Sequence, residues 1–249
     1  MILARLSRAV REQNWFAVVL EFVIVIAGVV IGFQITAGAE RAAEAERRAI
    51  ALDRLHAEVE DTVGLLARMT ELYDIQNEAR TEAIERLIAH DFDGMDEAKL
   101  TFGITSIMLF PAFSPQEGVY TEIVSSGMLS SLGDEAFRDA LGAYQSEANF
   151  LKGQIDYLRA VAVAEGRLSS FDPFRIEYAP GTSREIRNVL DWGAASEDPD
   201  FMDRLIIGNN SMRAMADWWR DTLESALVLC AETSRLTGQS CDPPERTFE

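Results

Sequence analysis

Residues 15–37 read WFAVVLEFVIVIAGVVIGFQITA, and this stretch decides the fold. It holds one acid, Glu21, and one amide, Gln34, and the residues from Phe22 to Phe33 include no polar side chain. About 20 helical residues cross the hydrocarbon core of a bilayer, so the stretch is long enough to span it. A helix without a polar face has no side to turn toward water. The sequence therefore predicts a transmembrane helix rather than a core helix of a soluble protein.

The residues around this stretch leave two fates open for it. Arg5, Arg8 and Arg11 form a basic region before it, and Ala37-Gly38-Ala39 resembles the small-residue cleavage site of a signal peptide. An apolar run that reaches back to Trp15, followed by helical sequence without a turn signal, favours an uncleaved anchor. Both interpretations carry the remainder of the chain across the membrane.

The basic residues do not by themselves orient the helix, because three arginines stand on each side of it. Arg41, Arg47 and Arg48 follow the span, so the positive-inside rule gives a tie. Short N-terminal tails usually stay in the cytoplasm. We therefore expect the N-terminus inside the cell and the C-terminal part of the chain outside the cytoplasmic membrane.

One face of the predicted membrane helix carries Glu21, Gly28 and Gly32. Their spacings of seven and four residues place them on the same side of a helix. Two glycines four apart let a second helix approach closely, and a polar side chain on that face can bond across the contact. Glu21 could equally be an acid at the headgroup level. The hypothesis is self-association, or docking onto another membrane protein, through this face.

Composition and motifs exclude several kinds of chemistry. The 249 residues carry a formal charge of −18, whereas binding to nucleic acid needs basic patches. There is no nucleophile elbow, phosphate-binding loop or dinucleotide fingerprint. His56 and His90 lack partners at metal-ligand spacing, and acids such as Glu58 read as a solvated helix face. We expect no enzyme activity, no cofactor, no metal and no nucleic-acid partner.

The sequence predicts three segments with different roles. Residues 1–14 form a short basic segment, and residues 15–37 form the transmembrane helix. Residues 38–249 predict an acidic domain, mainly α, folded as an elongated antiparallel helical bundle with about three long helices.

The helices of this domain are marked by apolar periodicity and by local start and stop signals. Residues 40–90 lack proline and repeat apolar side chains at steps of three and four, with Gly64 as a place to bend. The further predicted elements are a helix over 96–110, one beginning at Ser114-Pro115 and ending at Gly127, one from Asp134 to beyond Ala162, an irregular connection over 169–182, a short helix over 184–193, and a last helix from Asp198-Pro199 to Gly238.

The two cysteines, Cys230 and Cys241, stand eleven residues apart across the predicted end of the last helix. Seven helical residues rise roughly 10 Å, a distance that the four following residues can cover on their way back. A disulfide between them is feasible and would require an oxidising compartment. The alternative is a buried core thiol and an unrelated thiol in the tail. Their spacing suits neither a redox motif nor a zinc site.

Two stretches together resemble a known group of proteins. The first comprises residues 11–14, REQN, followed by 21–35, EFVIVIAGVVIGFQI. The second comprises 119–129, VYTEIVSSGML, followed by DEAFR at 134–138 and a Leu to Tyr segment at 141–144. They are similar to an uncharacterised bacterial family of single-pass, membrane-anchored helical proteins. The resemblance covers about 80 residues and implies no reaction chemistry.

The resemblance also marks a candidate surface for a partner. Tyr120, Ser125 and Ser126 belong to the family-like stretch and could line a contact surface. The sequence departs from the family after Ile35, where Thr36 to Ala39 replace the usual Asn and Trp, and this keeps the cleavage alternative open.

The function that these observations favour is non-catalytic. We expect a membrane-anchored protein that binds, senses or scaffolds outside the cytoplasmic membrane, with the lipid bilayer as its first partner. The alternative is an accessory subunit that docks into a larger membrane complex through its transmembrane helix. An enzyme ranks third, because the sequence assembles no nucleophile, base and orienting group.

Overall fold

The computed structural model describes residues 15–164, 168–178 and 186–243. The chain divides into two compact units, Met1–Ala51 and Leu52–Glu249. The predicted transmembrane helix lies in the first unit, together with residues 38–51, which the sequence had grouped with the acidic domain. The predicted basic segment 1–14 lies outside the described residues.

The fold is mainly α, as predicted. In the described residues, six helices are present: α1 (Trp15–Ala89), α2 (Glu97–Thr105), α3 (Gly118–Ser125), α4 (Glu135–Ala164), α5 (Trp192–Glu197) and α6 (Pro199–Thr237). A two-stranded antiparallel sheet pairs β1 (Phe174–Tyr178) with β2 (Ile186–Leu190). Short 3-10 turns stand at Ser106–Met108, Met128–Ser131 and Leu168–Ser170.

Helix α1 stays continuous through the position at which the sequence allowed a bend. Gly64 is helical and buried, and its neighbours Val63 and Leu66 are buried in the core. Tertiary packing of an apolar face supplies most of the stability of a helix in a protein, so one glycine does not break it. The helix ends at Ala89, because His90 adopts a left-handed backbone with φ 51°.

In the second unit, α1 and α6 run antiparallel. His56 of α1 lies 2.8 Å from Thr233, near the end of α6. Further along α1, the ring of Tyr73 stacks on Trp219 at 6.0 Å between centroids. Arg80 then meets Asn209, closer to the start of α6.

Helix α4 also runs antiparallel to α6. Asp134, which precedes α4, pairs with Arg235 at 2.8 Å, and Phe150 meets Trp218 edge-on at 5.6 Å. It follows that α1 and α4 run parallel to each other, and that α6 runs antiparallel to both. Apolar residues that alternate at steps of four and three from Phe137 to Ala162 predict one buried face for α4. These residues are buried, apart from Leu158, which is half-buried.

The centre of the bundle is an aromatic cluster. Trp219 is fully buried between Tyr73 of α1 and Phe113, whose ring meets it edge-on at 5.4 Å. Aromatic pairs of this geometry add about 0.5–1.5 kcal/mol each to the effect of burying their area. The cluster therefore joins α1, α6 and the α2–α3 connection.

The predicted start of α3 at Ser114-Pro115 is wrong. The helix begins at Gly118, after Glu117, and its first amides are capped by Glu58 of α1. The helix start is therefore stabilised not by a nearby residue but by a carboxylate 61 and 62 positions away from the two amides that it caps. The predicted stop at Gly127 is confirmed, since that residue has φ 72°.

The short helix predicted over residues 184–193 is also wrong. Residues Ile186–Leu190 form β2, whose register pairs Leu190 with Phe174 of β1. Phe174 and Leu190 are both buried, so the hairpin is held on the bundle by its apolar end. The helix of this region begins later, at Trp192, where the Asp191 carboxylate accepts the Ala194 amide at 3.0 Å.

Helix α6 begins and ends where the sequence predicts. Asp198 caps it, Pro199 opens it, and Gly238 closes it with φ 74°. Apolar residues at steps of three and four predict one buried face for this helix, running through Trp219, Leu223 and Leu227 to Cys230. Leu227 is instead exposed, and Ala226 is buried. The positions from Trp219 to Leu223 and from Leu223 to Leu227 each advance by four residues, whereas an α-helix completes a turn about every 3.6 residues. Leu227 therefore falls outside the buried face.

Candidate functional site

The first candidate site is the apolar part of α1, which the structure leaves uncovered. Every side chain described between residues 18 and 36 is exposed. The helix is long and apolar enough to cross a membrane, and its apolar stretch stands near the N-terminus. This pattern differs from that of a core helix, which is buried by its neighbours.

The predicted contact face of that helix is open in the first unit. Glu21, Gly28 and Gly32 are exposed, and a Cβ atom built on either glycine would meet nothing within 4 Å. The Thr36 hydroxyl donates to the Gly32 carbonyl at 3.1 Å, a bond that satisfies this hydroxyl within the helix. The face therefore presents small residues without an obstructing side chain.

Tyr120, Ser125 and Ser126 make hydrogen bonds at the two ends of α3. The Tyr120 amide donates to Glu58 at 3.1 Å, and the Tyr120 side chain is half-buried. The Ser125 and Ser126 hydroxyls donate to carbonyl oxygens three residues earlier, both at 3.1 Å. Their side chains are exposed, but these bonds help to end the helix.

Glu58 is a buried structural carboxylate, so its interpretation as part of a solvated face is wrong. Its two oxygens accept the amides of Val119 at 2.8 Å and Tyr120 at 3.1 Å. These amides belong to the first turn of α3, which a negative charge stabilises. The Glu117 side chain binds Lys152 at 2.7 Å instead of capping the helix.

Cys230 and Cys241 are joined by a disulfide in the structure, with their Cα atoms 5.9 Å apart. Cys230 is fully buried in α6, and Cys241 is half-buried. Of the two alternatives that the sequence left open, the structure therefore has the bonded one. The bond fixes a segment that we name the C-terminal strap, residues 238–243.

His56 lies between α6 and the C-terminal strap. Its side chain is 1% exposed, with Nδ1 2.8 Å from the Thr233 hydroxyl and Nε2 3.0 Å from the Ser240 carbonyl oxygen. A carbonyl oxygen only accepts, so Nε2 carries the hydrogen of this bond. Glu60 stands 3.6 Å from the same nitrogen. His56 therefore anchors the C-terminal strap to α1.

Arg80 is a buried cation with neutral partners. Its guanidinium donates to Asn209 at 2.9 Å, to the Ser106 hydroxyl and to Asn77. Burial lowers the pKa of Arg80 to about 10, against a smaller opposite effect of the nearby Tyr73. It is therefore still charged at neutral pH, and it ties α1 to α6 and to the turn after α2.

Sequence reasoning missed both Glu58 and Arg80. A signal for Arg80 exists, since Leu66, Tyr73, Arg80 and Leu87 follow one another at steps of seven, all fully buried. A charged residue at such a core position indicates an internal hydrogen-bond network. Glu58 has no comparable signal, because its partners become neighbours only through folding.

Within residues 15–164, 168–178 and 186–243, no three His, Cys, Asp or Glu side chains come together in an arrangement that could hold a metal ion. No protein-family model, no curated protein and no solved structure matches the chain.

Proposed function

We propose that this chain is a non-enzymatic, single-pass protein of the bacterial inner membrane, whose helical domain binds, senses or scaffolds outside the cytoplasmic membrane. The observation that carries the proposal is the uncovered apolar part of α1. The resemblance of residues 21–35 to membrane-anchored proteins supports it from the sequence.

The size of the exposed apolar surface favours a lipid environment. Fourteen large apolar side chains between Phe16 and Ile35 are at least 42% exposed. Fully burying such a side chain stabilises a protein by about 1.5–3 kcal/mol. Because the fourteen side chains are about half exposed, burying the rest of their surface would add on the order of 10–20 kcal/mol of hydrophobic stabilisation. Lipid tails would supply this burial without a protein partner.

The disulfide favours a location outside the cytoplasm. Structural disulfides persist in oxidising compartments and are rare where glutathione and thioredoxin keep thiols reduced. A bond between Cys230 and Cys241 therefore supports an inward N-terminus and an outward helical domain. It supports the predicted orientation, which the equal number of arginines on the two sides of the helix leaves open.

The location can be tested by thiol labelling of the full chain expressed in cells. After acid quenching and denaturation, the chain is treated with a maleimide–polyethylene glycol reagent, with or without prior reduction. We expect no gel shift without reduction and a shift of two labels after it. A Cys230→Ser variant, which leaves Cys241 unpaired, is the control and should take one label in both conditions. Two labels without reduction would contradict the outward location.

The partner that the open face of α1 favours is a second copy of the same helix. Gly28 and Gly32 let the backbones approach, and Glu21 could bond across the contact. Crosslinking of the full chain in membranes tests this contact. Gly28→Leu with Gly32→Leu should abolish the dimer, whereas Val23→Leu with Val30→Leu, on other faces, should keep it. Equal dimer yields in both variants would contradict the hypothesis.

The accessory-subunit alternative uses the same open face against a different helix. Solubilised full chain is purified by an affinity tag, and the proteins that follow it are identified by mass spectrometry. Stoichiometric membrane subunits that disappear in the Gly28→Leu, Gly32→Leu variant would favour the accessory role. Purification of the chain with itself alone would favour the self-associating one.

A further inference from the structure

We propose that the C-terminal strap is a redox-dependent latch on α1. While the Cys230–Cys241 bond is intact, the strap is held against the first turns of α1 in the second unit. Reduction of the bond releases the strap and uncovers that face of α1. The latch does not depend on which side of the membrane the helical domain occupies.

Three polar contacts join the strap to one face of α1. They are Gln239 Nε2 to Asp53 at 2.9 Å, Ser240 O to His56 Nε2 at 3.0 Å, and the Asp242 amide to Glu60 at 2.7 Å. The α1 partners are spaced by three and four residues, so they stand one above the other on the helix. The strap therefore lies along α1 rather than touching it at a single point.

The disulfide is what keeps the strap in place. Gln239, Ser240 and Asp242 are exposed, and Cys241 itself is half-buried. Ordering several residues costs more than three hydrogen bonds return, two of which are exposed to solvent. Because the bond ties Cys241 to the buried Cys230, it removes much of that entropy cost in advance.

The burial of the two sulfur-bearing residues sets the course of the reduction by a dithiol reductant. One thiolate of the reductant attacks the Cys241 sulfur, because Cys230 is fully buried. The sulfur–sulfur bond breaks, a mixed disulfide forms at Cys241, and Cys230 leaves as a thiolate that takes up a proton. The second thiol of the reductant then displaces Cys241, which is protonated in turn. Two electrons and two protons pass to the protein, and the reductant leaves as a disulfide.

Release of the strap changes the surroundings of His56 without touching the bundle core. Nε2 loses the Ser240 carbonyl and becomes accessible, while Nδ1 keeps Thr233, which belongs to α6. The aromatic cluster around Trp219 lies about four turns along α6 from Thr233. The latch therefore opens one end of the bundle and leaves its centre packed.

Hydrogen exchange of the full chain in detergent tests the latch. Oxidised protein is compared with protein reduced by dithiothreitol, and with a Cys230→Ser, Cys241→Ser variant that has never formed the bond. In both altered forms, amides of residues 52–60 and 234–242 should exchange at least about tenfold faster. Amides of residues 70–85 and 212–222 should keep their oxidised rates.

A third sample, reoxidised after reduction, should regain the original protection. Unchanged exchange at residues 52–60 in the reduced protein would overturn the latch, because α1 would then not depend on the strap. Faster exchange in all helices would overturn it as well, since the bond would then stabilise the whole bundle rather than a local contact.

Discussion

At Gly103, α2 packs tightly against the backbone of α1, so replacing this glycine with alanine should destabilise the bundle. A Cβ atom at this position would lie 2.6 Å from the carbonyl carbon of Ala79 and 2.6 Å from the nitrogen of Arg80. Both are backbone atoms of α1, so no side-chain rotation can make room. The two helices must move apart for Gly103→Ala to fit.

The size of the effect follows from two opposing contributions. Carbon contacts are normally about 3.5–4.0 Å long, so α2 must shift by about 1 Å, and overpacking of this kind destabilises by about 1–3 kcal/mol. Alanine gains about 1 kcal/mol over glycine in a helix interior. We therefore expect Gly103→Ala to lower the free energy of unfolding by up to about 2 kcal/mol.

A matched control is Gly153→Ala in α4, where a Cβ atom would meet nothing within 4 Å. Here only the helix contribution remains, and the free energy of unfolding should rise by up to about 1 kcal/mol. Urea unfolding of the full chain in detergent, followed by circular dichroism, compares the two variants. The reasoning is refuted if Gly103→Ala proves as stable as Gly153→Ala.

Three further predictions concern the polar groups of the second unit. Glu58→Ala should lower the free energy of unfolding by about 1–2 kcal/mol and speed amide exchange in α3, because the helix loses its cap; unchanged exchange there would contradict this role. Arg80→Lys should lower the free energy of unfolding by about 2–3 kcal/mol in urea unfolding, since an ammonium cannot reach acceptors on α1, on α6 and in the turn after α2. An unchanged free energy of unfolding would show that this hydrogen-bond network is dispensable. Burial raises the pKa of Tyr73 to about 12 and that of Tyr144 further, so their contribution to stability is present below the ordinary pKa of about 10 and lost above it. The lowered pKa of Arg80 acts in the opposite direction above pH 10. We expect the effect of the two phenols to outweigh that of Arg80, so that the free energy of unfolding falls above about pH 10. The fall should be smaller in Tyr73→Phe than in the unaltered protein, and an equal fall in the two proteins would contradict this cause.

Elements with local signals could be predicted from the sequence. Asp198, Pro199 and Gly238 mark the ends of α6 through chemistry within a few residues, and the structure places both ends there. The buried face of α6 was predicted less well after Trp219, because a long helix magnifies a small error in the assumed period. The ends of this helix thus follow from nearby residues, whereas which of its side chains are buried depends on the helices that pack against it.

The features that could not be predicted depend on residues that are distant in the sequence. Glu58 caps α3 across 61 positions, and Arg80 reaches Asn209 across 129. The hairpin of β1 and β2 was missed because its five-residue strands carry too short a pattern to separate them from a helix. For the candidate sites, the face of Glu21, Gly28 and Gly32 remains a prediction.

Protease accessibility in intact spheroplasts tests the proposed arrangement most directly. Full-length chain with an epitope at its C-terminus is exposed to proteinase K before and after the membrane is opened with detergent. An outward domain anchored by α1 predicts that the epitope is lost from intact spheroplasts, while a cytoplasmic marker survives, and that untreated chain sediments with membranes after an alkaline wash. An epitope protected until detergent is added, or full-length chain in the soluble fraction, would contradict it.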